Sequence, residues 1–218
     1  MRVLSVNVGV PRDNPWKRLA ATGIDKRPVD GPVRVTAPGP KGDGDVGLAG
    51  DRVYDVKHHG GTYQAVYAYA REDLDAWEPV MGRSLANGVF GENLTTTGLD
   101  VTGARLGDHW RIGEDLVLEV TCPRIPCLTF QGWLDRSGWM KEFTAAAVPG
   151  AYLRVVTPGE VRAGDPIDIV YRPDHDVTVG MSFRAFTTEP ELLPRLLPID
   201  VLDPADMDLV RRRVGVGS

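Results

Sequence analysis

Two cysteines, four histidines and a handful of basic residues set beside glycine or proline are the groups in this 218-residue chain that could do chemistry. Both cysteines fall in "VTCPRIPCLTF", Val120 to Phe130, with a proline after Cys122 and another before Cys127. A thiolate is a nucleophile and a soft ligand suited to a high-valent metal, and binding the metal removes the thiol proton outright. The spacing is not the C-x-x-C of redox or zinc motifs. A free cysteine is also commonly a small buried hydrophobe, and the strand alternation before Cys122 puts that residue in the core.

The other candidates are local. His58 and His59 stand in "KHHGG", where Gly60 and Gly61 let the backbone approach a ligand closely. An imidazole there can donate to an oxygen or shuttle a proton near neutral pH; it can equally cap a strand at a turn. Lys26 and Arg27 in "GIDKRPV" offer charge-assisted hydrogen bonds to an anion, although Arg27 reads as a solvated surface residue. Glu92 and Asn93 in "FGEN" lie at a turn, where Asn93 can hold its own loop or hydrogen-bond a ligand. His109 and His175 have no partner carboxylate or cysteine at metal spacing, and no Ser-His-Asp arrangement is present. The stretch "GPKGDGDVGLAGD" fits neither a Walker nor a Rossmann loop and reads as a mobile loop beside a pocket.

These groups need a scaffold. Gly (25) and Pro (17) are frequent, and the apolar residues come in short runs between turn signals, which favours strands over long helices. "RVLSVNVGV" alternates, with Val3, Ser5, Asn7 and Gly9 on one face. "GPVRV" and "QAVYAYA" read as further strands, "GVFGENLTTTGLDV" as strand, turn and strand. In "EDLVLEVTCP", Leu116, Leu118, Val120 and Cys122 share a face. Pro123 has no N–H for a neighbouring strand, so it ends that ladder and leaves Cys127 on a stiffened loop at the strand's end. "AREDLDAWEPVMG" reads as a helix ending at Gly82. "SGWMKEFTAAA" reads as another, with Ser137 as N-cap. From Asp174 the period becomes helical, with Val179, Phe183 and Phe186, then Leu192 and Leu196, then Met207, Val210 and Val214. Three such short helices bury little alone, so they are expected to dock on the β-barrel that the strands form.

Composition sets the class. Hydrophobic content of 42% and charged content of 25% are those of an ordinary globular protein. No apolar run approaches the ~20 residues that span a bilayer, and the start lacks a secretory signal, so no membrane association and a cytoplasmic location are expected. A formal charge of −5 argues against a nucleic-acid polymer as partner, and any anionic ligand must meet a local basic pocket.

With these landmarks the chain resembles the MOSC domain family, named for the C-terminal domain of molybdenum cofactor sulfurase. "TGIDKRPVDGPV", "GDRVYDVKHHGGTYQAVYAY", "FGENLTTTGLD", "RIGEDLVLEVTCPRIPC" and "PGAYLRVVTPGEVRAGD" occur in that family's order and approximate spacing over residues 1 to 171. "DVTVGMSFRAF" onward resembles the three-helix domain of a bacterial subgroup similar to proteins that detoxify N-hydroxylated bases. The resemblance implies a mainly β protein: a closed MOSC-type β-barrel with a few short helices over residues 1–172, then a three-helix region over 173–218.

It also implies chemistry. Cys127 occupies the "PRxPC" position through which related enzymes hold a molybdenum-pterin cofactor. His59 and Asn93 would orient or protonate the oxo group. Lys26 and Arg124 would hold the cofactor's anionic end, with Gly60, Gly61 and Glu92 lining its site. After "HGG" this chain has Thr62, Tyr63 and Gln64 where the family often has Pro-Asp and a basic residue. Cys122 stands where the family often has Gln. The implied function is reduction of N-hydroxylated bases or related N–O compounds, with electrons from a separate reductase for which the three-helix region is a candidate docking surface. Two other readings need the same thiolate: a sulfur carrier with a Cys127 persulfide, and a cofactor-binding module without turnover.

Overall fold

Ten strands carry the fold in the computed structural model, which describes residues 1–216. They are β1 (Arg2–Asp13), β2 (Ala21–Pro28), β3 (Val33–Val35), β4 (Val66–Ala70), β5 (Leu94–Thr97), β6 (His109–Ile112), β7 (Leu116–Pro123), β8 (Ala151–Thr157), β9 (Gly159–Val161) and β10 (Ile167–Tyr171). Eight of them form one mixed sheet in the order β10-β6-β7-β8-β4-β5-β1-β2, while β3 and β9 pair separately. All neighbours are antiparallel except β4 and β5. A parallel pair needs a crossover of a dozen or more residues, and α1 (Arg71–Met81) supplies it, burying Leu74 and Trp77. The stretch expected to give strand, turn and strand gives β5 alone.

The expected closed barrel does not form. β10 and β2 end the sheet with no ladder joining them. β2 covers β1 from Asn7 onward, which leaves only the first residues of the chain to meet the other end. There Val3 N donates to Asp165 O (2.9 Å) and Ile167 N to Met1 O (3.0 Å). The sheet therefore curls until its two ends touch beside β10, without sealing.

Four more α-helices follow: α2 (Leu128–Trp133), α3 (Trp139–Ala146), α4 (Val179–Thr187) and α5 (Pro204–Val214). α3 starts after Gly138, with no side-chain cap, so Ser137 is not its N-cap. Between α4 and α5 the segment Pro190–Leu196 is a 3-10 helix; prolines at 190 and 194 remove N–H donors that an α-helix would use.

Burial falls into two clusters. One joins the inner face of the sheet, including Leu118, Val120, Cys122 and Leu153, to Val179, Leu193, Leu196, Met207 and Val210 of the C-terminal helical region. The helices thus dock on the sheet and share its core. The other is aromatic: Tyr67, Tyr69, Trp77, Phe90, Phe130, Trp139, Phe143 and Phe183, with edge-on contacts such as Phe90–Phe130 (5.2 Å) and Trp77–Trp139 (4.7 Å). It lies under the loop that bears Cys127. No helix among the described residues is long and apolar enough to cross a membrane.

Candidate functional site

β7 stops at Pro123, as its missing N–H requires. The chain then crosses Arg124 to Pro126 and enters α2 with Cys127 at the N-cap in extended backbone (φ −135°, ψ 169°). Phe130, fully buried, ties α2 into the aromatic cluster. Cys127 is half-buried and opens into a cleft of about 840 Å³, mouth included, walled by β2, residues 45–55, the His59–Gly61 turn and Asn93.

Arg124 is the electrostatic centre of this cleft. It is buried, stacks its guanidinium on the Phe130 ring (3.9 Å), lies 5.0 Å from the Tyr67 ring and donates to Phe90 O. Its Nε has no partner, and no carboxylate forms an ion pair with it among the described residues. Tyr67, Tyr152 and Cys127 face its charge. A buried cation without a counter-ion is costly, so this corner of the cleft favours an anionic ligand.

His59 faces the same cation. Burial, with the Arg124 charge second, lowers its pKa from 6.5 to about 4. At neutral pH it is therefore an uncharged imidazole, able to donate one hydrogen bond and accept another. Gly60 and Gly61 have φ of 79° and 74°, a region that favours glycine. A Cβ on Gly61 would stand 2.6 Å from Lys41 N, so close packing of the neighbouring loop already explains its lack of a side chain.

Asp51 is the polar hub, and sequence reasoning missed it. Its carboxylate accepts from Gly9 N (2.9 Å), Lys26 Nζ (2.6 and 2.7 Å) and Asn93 Nδ2 (2.8 Å). Burial works against its charge, but the Lys26 ammonium and the Asn93 amide outweigh that and hold the carboxyl below its usual range. Lys26 is thus in the cleft with its charge already matched. Asn93 is in the cleft too, with its amide engaged: Nδ2 serves Asp51 and Oδ1 accepts from Tyr67 N (3.1 Å).

Cys127, His59, Gly60, Gly61, Lys26, Arg124 and Asn93 are therefore brought together. Glu92 is not: it is fully buried behind the wall, accepting from Gly88 N, Phe90 N and Thr95 Oγ1, and burial pushes its carboxyl up. Cys122 is a core residue, its thiol pushed up to about 12 by burial. The Gly-rich stretch read as a mobile loop is a packed wall where it nears Asp51, with Leu48 fully buried. Arg27 is the expected surface residue, paired with Asp25 and 57% exposed.

The residues present fit a molybdenum-pterin group. Among the described residues no three His, Cys, Asp or Glu side chains assemble as a metal site, so a metal here would have one protein sulfur, and an organic partner would bring the rest. Arg124, with its unmatched charge and orphaned Nε, suits the anionic character of such a group.

Comparison with known proteins places the whole chain. A family model described as the MOSC domain matches residues 55–168. The uncharacterized protein YflK of Bacillus subtilis is 31% identical over 183 residues, covering 84% of this chain and 79% of that protein. The protein YiiM of Escherichia coli is 34% identical over 161 residues, covering 72% and 67%. The crystal structure of YiiM from Geobacillus stearothermophilus superposes with a TM-score of 0.78 at 25% identity, over 98% of each chain. With a family model matching over half of its length and a relative 31% identical over most of both chains, this chain belongs to the MOSC domain family.

Proposed function

We propose that this chain is an oxidoreductase that binds a molybdenum-pterin cofactor through Cys127 and reduces N-hydroxylated bases or related N–O compounds, with electrons from a separate reductase. The observation that carries this reading is the buried, unpaired Arg124 guanidinium beside the half-buried Cys127. When bound, the cofactor supplies the two-electron chemistry that cleavage of an N–O bond needs.

The rest falls to the chain. Cys127 offers its sulfur from a loop stiffened by Pro126 and anchored through Phe130. Arg124, its plane fixed against Phe130, meets the anionic part of the ligand. Lys26 contributes hydrogen bonding rather than net charge, because Asp51 neutralises it. Asn93 acts as a positioning residue that holds Asp51 in place. Neutral His59 can hydrogen-bond the oxygen leaving the substrate and relay a proton to it by taking one from water at its other ring nitrogen, as R–NHOH, two protons and two electrons become R–NH2 and water.

The test uses protein made in a host that synthesises the cofactor, assayed for reduction of an N-hydroxylated base with reduced methyl viologen. Wild type should turn over, and Cys127→Ala and Arg124→Met should not. Full activity in Cys127→Ala would defeat the proposal. One rival has the same support, since Arg124 would also stabilise a Cys127 persulfide. A gain of one sulfur on Cys127 by mass spectrometry, in protein isolated without reductant and free of molybdenum, would favour the sulfur carrier.

A further inference from the structure

The cleft is walled mainly by the basic N-terminal segment of an acidic chain. Residues 1–64 hold ten Lys and Arg against seven Asp and no Glu, a net of +3, which leaves −8 on residues 65–218 of a chain whose total is −5. That first segment builds most of the cleft wall.

One lip of the cleft concentrates this charge. The Lys17–Asp55 ion pair (2.9 Å) joins the turn around residues 14–18 to the turn around 55–58. Arg18 and Lys57, both exposed, stand next to these partners in sequence, and exposed Arg52 lines the cleft near them. None of the three forms an ion pair among the described residues. Asp45 is the exposed carboxylate on the wall.

The same lip is continuous with apolar surface. Trp16 covers Gly132 of α2 so closely that a Cβ there would run into the indole ring, and Asn14 Nδ2 donates to Thr129 Oγ1 (3.4 Å). On that helix and the loop before it, Leu128 and Ile125 are 50% and 47% exposed and flank Cys127. Large apolar side chains this open, beside unmatched cations and at the mouth of a site, are the elements of an interface with an apolar centre and a charged rim.

We propose that this lip docks an acidic electron-carrier protein, a flavin or iron–sulfur carrier that delivers electrons one at a time to the cleft. The inference rests on the reductase reading above. Two reduced carriers would each give up one electron per R–NHOH converted, with two protons, to R–NH2 and water. Redox encounters of this kind use small interfaces, and a local field of one sign steers them more than it tightens them.

The test uses holoenzyme and two donors: reduced flavodoxin as the acidic carrier, and reduced methyl viologen, which needs no docking. Flavodoxin-driven kcat/KM should fall ~10-fold when salt rises from low to physiological strength, and ~10-fold at low salt in Arg18→Glu/Lys57→Glu. Viologen-driven turnover should be unchanged in that variant. Arg212→Glu/Arg213→Glu, an equal change of charge on α5, should leave both rates alone. A flavodoxin rate indifferent to salt and to the lip variant overturns the docking face, as does loss confined to the α5 variant, or no flavodoxin turnover where viologen turnover is present. No viologen turnover in wild type instead removes the reductase reading on which the face depends.

Discussion

Replacing Asp51 by asparagine should destabilise the protein by about 3 kcal/mol, because it strands a buried ammonium. In the wild type Lys26 Nζ lies 2.6 and 2.7 Å from the two carboxylate oxygens, and the two side chains are only 9% and 6% exposed. Breaking such a pair by removing one partner costs ~3–5 kcal/mol. The amide keeps the shape and one acceptor, which Gly9 N can still use, but it must turn N–H groups toward either Lys26 or the Asn93 amide. Water from the cleft relieves part of the loss, hence the lower end of the range. Removing the stranded charge as well, in Asp51→Asn/Lys26→Met, should recover ~1.5 kcal/mol or more, the mark of coupling between neighbours.

Urea unfolding at pH 7 followed by tryptophan fluorescence measures all three proteins, with an unchanged m-value as the check that the transition is the same. Because the folded carboxyl is held below its ordinary 3.8, its stabilisation is fully present above that pH and is lost as pH falls through the folded value. The gap between wild type and Asp51→Asn should therefore close in acid. A loss below ~1 kcal/mol, or a double variant no more stable than the single, would show that the pair does not organise the cleft as described.

Two further titrations carry predictions. His59 is displaced from 6.5 to about 4, so the folded protein binds fewer protons than the unfolded chain between those values; stability should rise with pH across that window and level off above it. The displacement corresponds to ~3 kcal/mol at most, and about 1–2 kcal/mol once solvent reaching the ring is allowed for; an NMR titration of His59 with a midpoint near 6.5 would contradict it. Asp73 is raised from 3.8 to about 6 by burial, with Asp100 and Glu72 adding to it. Its favourable contribution holds below 3.8 and is lost as pH rises through about 6. Asp73→Asn should accordingly stabilise by about 1 kcal/mol at pH 7.5 and by little at pH 4; an equal gain in melting temperature at both pH values would argue against the burial and charge origin.

The Cys127 loop was legible in the sequence because its determinants are local: alternation through Cys122, a proline that ends the ladder, and a second proline before the thiol. The terminal helices were legible for the same reason, apart from the prolines that tighten the second into a 3-10 helix. What escaped depends on long-range pairing. The parallel β4–β5 pair and its α1 crossover come from partners chosen across the sheet, and the failure of the barrel to close follows from how much of β1 is already covered by β2. Asp51 was missed because it sits at the end of a Gly/Pro-rich stretch with no periodicity. The signal available was Leu48, a lone leucine among glycines that marks where the loop turns back into the core. Glu92 and Asn93 are sequence neighbours in one turn, yet only Asn93 reaches the cleft; no spacing rule in the sequence separates them.

The measurement that bears most directly on Cys127 and Arg124 is elemental analysis of protein from a host shown to load another molybdoenzyme, for wild type, Cys127→Ala and Arg124→Met side by side. Near-stoichiometric molybdenum in the wild type, none in Cys127→Ala and a marked deficit in Arg124→Met is the predicted result. Molybdenum retained by Cys127→Ala, or absent from the wild type, would contradict it.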